Sequence, residues 1–141
     1  MNLIIEYFEE LKVKATMRFG SFTAEIGDDF DERINTPLRI IAELDFPELC
    51  NYDDFCMIED AAYAIWSENT STSFVAKVVS YEGGYDGGVI CMQFSLDIFQ
   101  IPVYTDNRFC SLLGKFVKVT VPRVVIYPDW GLTELQYLGR F

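Results

Sequence analysis

Carboxylates are the only side chains dense enough in this chain to suggest chemistry. Asp28, Asp29, Asp31 and Glu32 crowd into one stretch. Four acids so close together could hold a hard cation such as Ca²⁺, but the spacing does not match the twelve-residue EF-hand loop, which needs a glycine at its sixth place. A solvated acidic loop is the simpler reading. A glycosidase-like acid pair would be served by any two of the 22 acids, so their number carries no specificity.

The other usual agents are missing. The chain has no histidine, which removes the commonest general base and metal ligand. Ser-His and Cys-His nucleophile pairs are thereby excluded. The four cysteines, Cys50, Cys56, Cys91 and Cys110, form no C-x-x-C pair and do not build a Cys₄ zinc site. They read as reduced, mostly buried thiols of a cytoplasmic protein. No Walker loop is present. The glycine-rich run from Glu82 to Gly88 (EGGYDGG) lacks the lysine and the strand–helix setting of a phosphate cradle, and reads as a turn. Neither an enzyme, a cofactor nor a metal is expected.

Charge is the more informative quantity. Residues 1–70 carry 16 acids against 5 bases, an excess of 11 that equals the whole net charge of −11; residues 71–141 carry 6 of each. The density peaks between Glu25 and Asp60, where twelve acids face only Arg33 and Arg39. Such a surface repels phosphate backbones, which disfavours direct nucleic-acid binding, and it steers basic surfaces toward itself. Aromatic residues are also abundant, with 12 Phe, 8 Tyr and 2 Trp. Most belong in a core, but Tyr52, Tyr85, Trp66 and Trp130 fall at or beside loops, where aromatics next to acids commonly form binding hot spots.

The elements that would position these residues are mainly strands. Leu11 to Phe19 alternates, with Leu11, Val13, Ala15, Met17 and Phe19 on one side and Lys12, Lys14, Thr16 and Arg18 on the other. After Gly20-Ser21 the parity changes to Phe22, Ala24 and Ile26, which predicts a hairpin turning at those two residues, or a bulge there. Leu3 to Phe8 and Leu38 to Phe46 suit strand and helix equally. Phe55, Ile58, Ala62 and Ile65 fall at helical spacing behind two acids, which predicts a helix over Asp54 to Trp66. Beyond it the chain reads as β: a central strand from Phe74 to Tyr81, then a long strand from Ile90 that keeps Ile90, Met92, Phe94, Leu96 and Ile98 on one face and bends after Phe99-Gln100. A short helical turn at Arg108 to Leu113, a strand over Val117 to Tyr127 interrupted by Pro122, and a last strand at Thr133 to Leu138 complete the pattern.

The expected architecture is therefore α+β and β-rich: one domain over residues 1–141, a mainly antiparallel sheet of six or more strands, one or two helices, and a barrel-like, OB-like strand order in the C-terminal half. No apolar run approaches the ~20 residues that cross a bilayer as a helix, and MNLIIEYFEE at the start lacks the features of a signal peptide.

A small, acidic, aromatic-rich chain without catalytic signatures has the physical profile of proteins that neutralise a basic partner. Its profile, though no motif, resembles that of nuclease immunity proteins, antitoxins and phage-encoded inhibitors of host defence, which mask a basic nucleic-acid-handling protein. The residues expected to carry this are Asp28, Asp29, Asp31, Glu32, Tyr52, Asp53, Asp54, Glu59, Asp60 and Trp66. The alternative is a structural module, such as a virion or scaffold component, that self-associates through strand edges.

Overall fold

A computed structural model describes residues 1–10, 12–27 and 36–131. Among the described residues, eleven strands form two sheets. β1 (Asn2–Glu9), β2 (Lys12–Met17), β3 (Gly20–Ile26), β11 (Val125–Pro128) and β4 (Leu38–Asp45) close into a barrel in that order. The second sheet runs β5 (Phe55–Met57), β10 (Phe116–Val121), β7 (Ser71–Gly84), β8 (Gly87–Phe94) and β9 (Asp97–Val103), with β6 (Ala64–Glu68) also paired to β7. Every ladder is antiparallel except β3 with β11. The β-rich, mainly antiparallel character expected from the alternation is what the chain adopts.

The closed barrel lies elsewhere than expected. It is built from the N-terminal strands plus β11, not from the C-terminal half. The strand expected over Val117 to Tyr127 breaks at Pro122, and its two parts join different sheets. Proline lacks the N–H that a continuous ladder would need, so the chain leaves one sheet there and enters the other. Leu38 to Asp45 resolves as strand, closing the barrel between β1 and β11. The strand expected at Thr133 to Leu138 lies outside the described residues.

The helix expected over Asp54 to Trp66 does not form. Tyr52–Asp54 is a single 3₁₀ turn, Phe55–Met57 is β5, and Ala64–Glu68 is β6. Phe55 and Ile65 are both buried, as helical spacing required, but each reaches the core from its own strand. A few apolar residues at i, i+3 and i+7 fit short strands joined by a loop as well as a helix, and tertiary pairing to β10 and β7 decided between them. The short turn expected near Arg108 is present as the 3₁₀ segment Asn107–Leu112.

The first hairpin turns two residues earlier than the glycine suggested. Met17 pairs with Gly20, so Arg18 and Phe19 form the turn. Val13 and Ala15 face inward as their parity required, while Met17 and Phe19 are half-buried and Leu11 lies outside the described residues. Gly20 serves a different purpose: its φ is +146°, and it lies against the backbone of Ile65, whose N–H donates to the Phe19 carbonyl at 3.2 Å. The glycine lets the barrel's hairpin touch β6.

The long strand expected from Ile90 is a second hairpin. Phe94 pairs with Asp97, and Ser95-Leu96 is its turn, with Ser95 at φ 56°. That turn resets the parity, so Phe99, Ile101 and Val103 are buried instead of Leu96 and Ile98. The core joins both sheets. Phe46, just after β4, meets Phe74 of β7 at 5.5 Å and Phe99 of β9 at 5.3 Å, and Phe94 stacks on Phe99 at 5.0 Å.

All four cysteines are free thiols, but only Cys50 is buried; Cys56 and Cys110 are exposed. Burial pushes the Cys50 thiol up to about 12, with Asp54 and Glu48 adding to the effect. In the native protein an aromatic disulfide reagent should therefore modify Cys56 and Cys110 quickly and leave Cys50 intact, because only the thiolate reacts. Denatured without reductant, the chain should titrate four thiols. Cys50 reacting at the rate of Cys110 would contradict this placement.

Candidate functional site

Of the acids expected to meet a partner, Asp28, Asp29, Asp31 and Glu32 lie outside the described residues. Tyr52, Asp53 and Asp54 come together in their 3₁₀ turn. Asp54 caps that turn: its Oδ2 accepts from the Asn51 backbone N–H at 2.8 Å. Tyr52 stands edge-on to Phe109 at 5.3 Å, and the Arg108 guanidinium lies 4.3 Å from its ring centre. Arg108 in turn is gripped by both carboxylate oxygens of Asp106, at 2.7 to 3.1 Å. These bonds hold the Asp106 carboxyl below the usual carboxylate range. Tyr52 thus carries one of the chain's own cations on its face. Asp53 is exposed, as are Glu59 and Asp60 in the loop between β5 and β6. Trp66 is separate from all of these. It lies on β6 beside a base, with Lys118 Nζ 5.6 Å from its ring centre.

An ion pair ties the barrel to the β10–β11 link. Arg123 donates to both oxygens of Glu25, at 2.7 and 3.1 Å, and reaches toward Glu48 at 3.9 Å. The hydrogen bonds from Arg123 hold the Glu25 carboxyl below the usual carboxylate range. A depressed folded-state value means the contribution is present at neutral pH and is lost as pH falls through it.

One open concavity lies between the barrel and the second sheet. It is a cleft of about 610 Å³ between β4 and β9. Glu43 and Asp45 line it from β4, Asp97 from the start of β9, and Asp129 from just after β11. Among the described residues no Lys or Arg lines it, and the cation there is the amino group of Met1, 3.3 Å from Asp97 Oδ1. Part of its apolar lining is open to solvent. Leu96 is 98% exposed, Ile98 57% and Tyr127 44%. Acids beside exposed aliphatic and aromatic groups offer both steering charge and surface to desolvate, the two requirements of a protein-binding site.

No protein-family model, no curated protein and no solved structure aligns significantly with the chain. The cleft must be read from its own chemistry.

Sequence reasoning missed this site for two reasons. Glu43 and Asp45 stood in the acid-rich stretch, but on a segment whose secondary structure was ambiguous. Leu96 and Ile98 matched a buried alternation, and only the Ser95-Leu96 turn puts them outside. Asp97 and Asp129 come from the electrically neutral half and join the acidic half only through the fold. Among the described residues no group of three or more acids or cysteines is placed to hold a metal ion, and no helix is long and apolar enough to cross a membrane.

Proposed function

We propose that this protein is a binding protein whose acidic face captures and masks a basic partner protein, in the manner of an inhibitor. The observation that carries the reading is the cleft between β4 and β9, lined among the described residues by four carboxylates, no Lys or Arg, and exposed Leu96, Ile98 and Tyr127. Its carboxylates would occupy the positions that phosphates take on a nucleic-acid-handling partner, while the apolar groups supply the desolvated contact. The exposed acids Asp53, Glu59 and Asp60 extend the negative field. A cytoplasmic setting suits four free thiols.

Self-association as a structural module is the second reading, favoured by the exposed aliphatics of the β8–β9 hairpin. Like charge on both copies opposes it at this cleft.

Capture from the native lysate tests the proposal when the wild type is compared with a Glu43→Gln/Asp45→Asn variant. Both side chains are exposed, so the fold should be unchanged. The wild type should enrich a protein with a basic surface, and the variant should retain about a tenth as much or less at low salt. An acidic partner, or equal capture by both, would refute the reading.

A further inference from the structure

Among the described residues, the cleft is bordered on both sides by strand edges that lack a strand. On β9, the Pro102 carbonyl accepts from Cys50 N–H at 2.9 Å, so it points away from β8. Backbone groups alternate along a strand, and the β8–β9 register is unbroken, so the N–H and C=O of Ile98 and Gln100 point the same way, into the cleft. On β4, Ala42 N–H donates to the Met1 carbonyl at 2.9 Å, while the Ile41 carbonyl accepts from Asp129 on the opposite edge. Leu44 therefore turns its N–H and C=O toward the line of β1, just beyond Met1, again into the cleft. Among the described residues no strand pairs with either edge here.

An exposed edge is a template for another chain, and proteins usually blunt it. Here, among the described residues, only the charge of its surroundings blunts it. That charge repels a second copy of the same acidic cleft and suits a cationic chain.

Resting on the reading of the cleft as the capture site for a basic partner, we infer that the partner presents an extended segment with alternating basic and apolar residues, which adds as a strand along β9 and β4. Main-chain hydrogen bonds to Ile98, Gln100 and Leu44 would supply affinity, as in other strand-addition complexes. Alternation puts the segment's cations on one face, for the exposed Glu43 and Asp45, and its apolar groups on the other, for Leu44 and Phe99, which line the cleft from the opposite faces of β4 and β9.

The probe is a synthetic peptide, acetyl-Lys-Val-Lys-Val-Lys-Val-Lys-amide, with a copy N-methylated at alternate residues as control. Saturating the protein with it should slow exchange of the Leu44, Ile98 and Gln100 amide protons by about tenfold or more, since these amides gain hydrogen-bond partners. Gln100→Pro removes the outward N–H from a position of the same parity as the native Pro102, so the β8–β9 ladder should persist. It should weaken the peptide by about fivefold or more, the value of one lost hydrogen bond and its neighbour's disturbance. Gln100→Ala should bind as the wild type does, and the methylated peptide should bind as weakly as Gln100→Pro allows.

If Glu43→Gln/Asp45→Asn loses the peptide while Gln100→Pro and the methylated copy bind at full strength, strand addition is wrong and the acidic cleft stands. If the charge variant also binds fully, or no peptide binds, both fail. Protection of the same amides without peptide, with a dimer mass in solution, would assign the edges to a second copy and overturn the inference.

Discussion

Phe74→Ala should cost about 3–5 kcal/mol of stability, the range of a buried phenylalanine removed without collapse of its site. Phe74 is fully buried on β7, and its ring meets Phe46 at 5.5 Å, Phe99 at 5.3 Å and Phe94 at 6.5 Å. Phe46 follows the barrel strand β4, whereas the other three rings belong to the second sheet. The cavity would open at the junction of the two sheets, where the surrounding rings are held by separate ladders and have little freedom to close it. Urea unfolding followed by circular dichroism should show the midpoint falling with little change in slope. Val79→Ala, on the same strand but half-exposed, should cost less than about 1 kcal/mol. Comparable losses for the two would mean that Phe74 does not join the sheets.

Gly20→Ala should destabilise by roughly 2–5 kcal/mol, combining backbone strain with a steric collision. The φ of +146° is a conformation that an L side chain rarely adopts, and a Cβ there would run into the carbonyl oxygen of Ile65. That oxygen is backbone in β6 and cannot rotate away, so the barrel hairpin would have to lift from the second sheet. Gly114→Ala isolates the strain. Gly114 also has a positive φ, +78°, but nothing lies within 4 Å of its would-be Cβ. It should cost only about 1–2 kcal/mol, the conformational penalty alone. Thermal melts of the two variants measure the difference, and a Gly114→Ala loss as large as that of Gly20→Ala would remove the seam from the explanation.

These two positions also mark what the sequence could and could not convey. Alternation at Val13, Ala15, Phe22 and Ala24 identified the first hairpin because one face is core and the other solvent, which imposes a period of two. The turn itself was misplaced because glycine has two uses: it can form a turn, or it can let two backbones approach. Gly20 does the second, and only the position of Ile65 reveals it. The false helix over Asp54 to Trp66 has a similar origin. Phe55 and Ile65 are apolar because they enter one core from two strands, and three-residue β5 is too short to show a period. Hairpin β8–β9 hid behind an unbroken alternation, since a two-residue turn occupied by Ser95 and an apolar Leu96 carries no glycine or proline to announce it.

The candidate site was legible only in outline. The charge count located the acid excess, and Glu43 and Asp45 stood within it. Their neighbours Asp97, Ile98 and Tyr127 are more than 50 residues away in sequence, and closure of the barrel by β11 brings Tyr127 opposite Glu43. Of the aromatics chosen as anchors, Tyr52 meets Arg108 and Trp66 meets Lys118. An aromatic beside a loop is as readily covered by a cation of its own chain as offered to a partner, and composition does not separate the two cases.

Association kinetics with the captured basic partner test the central claim most directly. Steering by exposed carboxylates acts over the screening length, which shrinks from ~10 Å at 0.1 M salt to ~3 Å at 1 M. Stopped-flow mixing of the two proteins should give an association rate that falls about tenfold or more over that range. Glu43→Gln/Asp45→Asn should associate slowly at 0.1 M and match the wild type at 1 M. A wild-type rate that does not change with salt, or a variant as fast as the wild type at 0.1 M, would contradict capture through the β4–β9 cleft.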